Sequence, residues 1–155
     1  MTKNTDVVFF NAKEKFAYIK NFLNNWQIKN DENFTEYDYM VFDTDGYGNF
    51  DEFLKISDEI ILITEANLLG INNAKEILQF LINNLKTQKD NIKIVFNKHN
   101  IMSINLCILK KMFEDFKILG ILHYDKNYNC FINSNAKILM PKIKKEFLKI
   151  IKKIN

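Results

Sequence analysis

Short apolar runs alternate with stretches of helical period along the whole chain. Runs at 6–10, 39–42, 60–64, 92–96 and 118–122 are nearly continuous in large apolar side chains. That pattern reads as strands buried on both faces. Between them, Phe16, Ile19, Phe22 and Leu23 recur at helical spacing over 13–26. Ile71, Ala74, Ile77, Leu78, Leu81, Ile82 and Leu85 predict a helix with a wide apolar face over 71–85. Leu109, Met112, Phe113 and Phe116 predict another, facing inward, over 104–116. Pro141 opens a last helix, and the polar stretch 30–36 is a loop.

Strands alternating with helices predict one α/β domain over 1–155, a doubly wound and mainly parallel five-stranded sheet with helices on both faces. Right-handed crossovers bring every strand's C-terminal end to one edge. Asp43, Thr64, Asn97 and Tyr124 fall at such ends, and Glu65 and Asn67 lie just past the third strand. Ligands and metals bind at that edge in open sheets, which makes it the expected site. There is no internal repeat and no linker.

Composition narrows the class. At 155 residues, 47% hydrophobic, with one Pro and four Gly, the chain is neither disordered nor collagen-like. A net charge of +3 is too small to mark a nucleic-acid partner. Every positive side chain is lysine. The two cysteines, Cys107 and Cys130, form no disulfide framework or zinc pattern, and Cys107 reads as a reduced core residue. No signal peptide is visible and no apolar run approaches the ~20 residues of a membrane span, so a cytoplasmic location is expected.

Asp43 and Asp45, flanking Thr44 just before Gly46, offer carboxylates for Mg²⁺ at a strand end. The same residues also suit a turn cap. Asp43-Thr44-Asp45-Gly46 further resembles the first motif of haloacid-dehalogenase-type phosphatases, in which the first Asp is a nucleophile and the second a general acid. Thr64 and Lys98 would then mimic that family's later motifs. Tyr47 departs from the pattern, and no acidic pair follows a later strand. His99 and His123 have no partners at metal-ligand spacing and read as surface or loop residues.

A wider resemblance covers roughly 37–139. Tyr37-Asp38-Tyr39-Met40-Val41-Phe42-Asp43-Thr44 resembles the Walker B strand of the ParA/MinD family of deviant P-loop ATPases. Ser57-Asp58-Glu59-Ile60-Ile61-Leu62-Ile63-Thr64 resembles the family's next strand, and Gly70-Ile71-Asn72-Asn73-Ala74 its helix start. Ile94-Val95-Phe96-Asn97-Lys98 is similar to the strand whose Asn contacts adenine, and Leu119-Gly120-Ile121-Leu122-His123-Tyr124-Asp125 to the strand after it. The resemblance implies a P-loop-type fold, a nucleotide site at Asn97 and Lys98, and vestigial ATP or ADP with Mg²⁺ at Asp43 and Asp45. It also implies dimers and protein partners.

The phosphate loop itself is missing. No glycine precedes Gly46, and the only loop correctly placed, Asn11-Ala12-Lys13-Glu14-Lys15, cannot wrap phosphates with backbone N–H groups. The expected function is therefore a reduced pseudo-ATPase, a bacterial scaffold or partitioning protein without catalysis. Two rivals are a Mg²⁺-dependent phosphatase centred on Asp43 and a membrane-surface adaptor. The adaptor reading rests on 142–155, where six lysines stand against one glutamate. Such a basic amphipathic helix can lie on an anionic membrane at the inner face. The reading preferred is that its stripe of Ile143, Phe147, Ile150, Ile151 and Ile154 packs on the sheet.

Overall fold

The computed structural model describes residues 41–44, 51–125 and 141–154. The chain divides into two compact units, Met1–Asn49 and Phe50–Asn155. In the first, residues 41–44 belong to no helix or strand, and Val41 is exposed. Of the strand expected at 39–42, residues 41–42 are described and belong to no strand, and residues 39–40 lie outside the described residues. The strand expected at 6–10 and the helix at 13–26 lie outside the described residues.

The second unit is an α/β layer structure. In chain order it comprises α1 (Asp51–Ile56), β1 (Ile60–Glu65), α2 (Leu68–Asn83), a 3₁₀ turn (Lys89–Asn91), β2 (Ile92–His99), α3 (Leu106–Met112), β3 (Lys117–His123) and α4 (Pro141–Ile154). The strands form a parallel sheet in the order β1-β2-β3. Three strands are described where the sequence predicts five.

Alternation along the strands sorts the core into two clusters. Ile60, Ile92, Ile94 and Phe96 point to one face, where α2 and α3 bring Ile71, Ala74, Leu78, Leu81, Leu109 and Phe113. Phe96 and Phe113 meet edge to face, 5.6 Å between ring centres. Val95, Leu119 and Leu122 point to the other face, under Ile150 of α4. Lys93 is also buried there, neutralised by Glu59. Helices therefore pack on both faces of the sheet.

α4 lies along β3, tied at its far end by Lys153 Nζ, which donates to the Leu119 carbonyl at 2.6 Å. Gly120 lets the helix come close, since a Cβ there would stand 2.5 Å from Ile150 Cγ1. Only part of the expected stripe is buried, however. Ile150 is buried, whereas Phe147 and Ile151 stay 39% and 49% exposed. At about 100° per residue, Ile151 turns away from the line on which Ile150 meets the sheet. Met112 is likewise partly exposed, and Cys107 is exposed rather than core. Cys107 sits on the outward side of α3, whose inward side holds Leu109. Among the described residues, no helix is long and apolar enough to cross a membrane.

Candidate functional site at the strand ends

All three strands end at one edge, and the loops there are built by short polar bonds. Thr64, buried near the end of β1, donates its hydroxyl to the Gly70 carbonyl at 2.8 Å. That turn is tight: a Cβ on Gly70 would stand 2.4 Å from the Glu65 carbonyl oxygen. Asn67 caps α2 by accepting from the Gly70 N–H at 2.7 Å. Its amide then donates to Glu65 Oε2 at 2.9 Å. The other oxygen, Oε1, takes the Lys98 ammonium at 2.5 Å. One carboxylate is thereby fixed by an adjacent cap and a lysine from the neighbouring strand.

Lys98 sits on an irregularity. The β2–β3 register shifts between Phe96 and His99, which leaves an extra residue on β2. Lys98 takes a left-handed backbone, φ 53°, unusual for a residue with a Cβ. Its N–H is held by Asn97 Oδ1 at 2.9 Å, so the Asn97 side chain serves the strand end itself. The Lys98 hydrogen bond holds the Glu65 carboxyl below its ordinary range, and Glu65 in turn raises the Lys98 ammonium above its own.

The same bulge sets His99 opposite His123 across the strands. Their rings meet edge to face with centres 5.5 Å apart. His123 Nδ1 lies 2.8 Å from Glu146 Oε1 of α4, and its backbone N–H donates to Glu146 Oε2 at 3.0 Å. The His99 carbonyl accepts from the Tyr124 N–H at 2.9 Å. His99 Nε2 is buried with no hydrogen-bond partner among the described residues.

Around these polar groups stand large apolar side chains in water. Leu68 and Leu69 open α2 at 69% and 71% exposed, and Ile101 and Met102 follow β2 at 101% and 91%. The Ile104 N–H, donated to the Ala66 carbonyl at 2.8 Å, ties the second loop beside the first.

The sequence-predicted residues divide accordingly. Thr64, Glu65, Asn67, Asn97, Lys98 and Tyr124 come together on this edge. Asp43 is exposed on the irregular stretch 41–44 of the other unit, and Asp45 lies outside the described residues. His99 and His123, read as surface or loop residues, are strand-end residues in contact with each other. Glu146 was hidden inside a helical stripe; its only sequence signal is a lone acid among six lysines. Comparison with protein-family models, with curated proteins and with solved structures finds no match.

Proposed function

We propose that this chain is a non-catalytic scaffold, a five-stranded, doubly wound relative of the ParA/MinD ATPases that pairs with a second copy through its strand-end edge. The observation that carries the reading is the exposed quartet at that edge, Leu68 and Leu69 at the start of α2 and Ile101 and Met102 after β2. Large apolar side chains gathered in water at one place mark an interaction surface. A second copy fits because the charges beside the quartet are paired internally: Lys98 already holds Glu65. A two-fold interface sets like against like, so it favours a patch without unpaired charge of one sign. The same pairing works against phosphate chemistry at Lys98. A phosphoryl group would have to displace Glu65 from the ammonium. The resemblance to a partitioning protein adds the setting, a positioning role in a bacterial cytoplasm.

Sedimentation velocity over a concentration series tests this. A dimer is expected with a Kd tighter than about 100 μM, or about 5.5 kcal/mol. Ile101→Asp with Met102→Asp should abolish it while leaving the melting temperature within a few degrees, because both side chains already stand in water. A chain that stays monomeric at 200 μM, or a dimer indifferent to the double substitution, overturns the reading.

A further inference from the structure

The histidine count is low and their meeting is specific. The chain has two histidines in 155 residues, and both stand at the ends of adjacent parallel strands with their rings touching. We propose that His99 and His123 form a binding site for a divalent transition metal of the zinc class, with Glu146 as the positioning carboxylate behind His123.

Three observations converge on that chemistry. The first is the spacing. Two imidazoles on one tetrahedral zinc, with metal–nitrogen bonds of about 2.0 Å, place their ring centres about 5 Å apart. Here the separation is 5.5 Å, with the ring planes at 84°. The second is Glu146. Its Oε1 lies 2.8 Å from His123 Nδ1 and its carboxylate also takes the His123 backbone N–H, so the ring cannot turn freely. A carboxylate at Nδ1 keeps the proton there and leaves Nε2 with its lone pair, the arrangement that orients metal-binding histidines. The third is the His99 Nε2 atom, buried and without a hydrogen-bond partner among the described residues. Such an atom carries a cost of order 1–3 kcal/mol unless an unseen water or ion satisfies it.

The site would be open. Among the described residues, no three His, Cys, Asp or Glu side chains gather into a cage. The described residues therefore supply two nitrogens, and water completes the coordination. An exchangeable metal, rather than a structural one, matches that donor set. The metal site stands or falls independently of the dimer, because its test reads the imidazoles and not the oligomeric state.

Because the chain has no other histidine, its two imidazole signals report on the site directly. Chelator-stripped protein is titrated with Zn²⁺ while ¹⁵N-edited spectra follow the imidazole nitrogens. A Cys107→Ser, Cys130→Ser background removes competing thiols. Both imidazoles are expected to shift together, saturating at one Zn²⁺ per chain. Glu146→Gln should weaken binding tenfold or more. His123→Phe should abolish it, and lower pH should compete because the ligands must be unprotonated. If neither imidazole shifts by 1 mM Zn²⁺, or if only one does, the proposal fails and the buried nitrogen belongs to water. Binding that survives both His99→Phe and His123→Phe overturns it equally.

Discussion

At the scale of single residues, the strand-end edge holds one charge pair whose environment shifts both partners. Glu65 is held below its ordinary value of 4.5 by Lys98, so the stabilisation it brings is present above that value and lost as pH falls through the lowered one. Lys98 is raised above 10.5, so its share is present below that value and lost as pH climbs through the raised one. Between those limits the contribution is flat. Both side chains are substantially exposed, which screens the pair and limits it to about 1 kcal/mol or less. Glu65→Gln should therefore lower the urea-unfolding free energy by less than about 1 kcal/mol at pH 7. The gap to wild type should close as pH falls through the lowered Glu65 value, and stay open at pH 9. A gap that widens in acid would show that Glu65 acts through something other than Lys98. Glu65 and Lys98 were both legible in the sequence as edge residues, but their partnership was not. It depends on a left-handed backbone at Lys98 and a cap at Asn67, neither of which periodicity reports. The histidine contact was hidden for a related reason, since it needs a bulge that shifts β2 against β3.

At the scale of elements, hydrophobic periodicity located β1, α2, β2, α3, β3 and α4, because each turns apolar side chains toward the core. It missed α1 (Asp51–Ile56), which is six residues long and too short to show a period. It stopped β2 at Phe96, since Asn97 and Lys98 look like a loop although the strand runs on to His99. It also overextended α3, which is capped by Asn105 and ends at Met112. The docking of α4 shows how far a stripe can mislead. Five apolar residues suit one face, yet packing on β3 rests on Ile150 fitting over Gly120. Ile150→Ala should cost about 2–4 kcal/mol. Ile151→Ala should cost no more than about 0.5 kcal/mol, because the side chain is half exposed. Gly120→Ala should destabilise by about 1–3 kcal/mol through overpacking against Ile150. Combined with Ile150→Ala, the same change should cost much less than the sum, because the added methyl then fills the vacated space. Denaturant melts of the four proteins give the cycle, and strict additivity would mean that α4 is not seated on Gly120.

At the scale of the whole molecule, the proposed scaffold reading carries a prediction about nucleotide. Nucleotide affinity in P-loop proteins comes mostly from backbone N–H groups wrapped around the phosphates, with helix N-termini aimed at their charge. No glycine before Gly46 permits such a wrap. At the described edge, the Asn97 oxygen is spent on the Lys98 N–H, and the Lys98 ammonium on Glu65. An adenine could still displace the first and a phosphate the second, but each exchange gives up a bond the protein already makes. Calorimetry with Mg²⁺-ATP should accordingly find no site tighter than about 100 μM. Lys98→Ala should not change that result, since the lysine is committed to Glu65. A micromolar site lost in Lys13→Ala or Lys15→Ala would show instead that the loop 11–15 binds phosphate without glycine. The scaffold reading would then give way to a working nucleotide switch, whatever the sedimentation of the chain alone had shown.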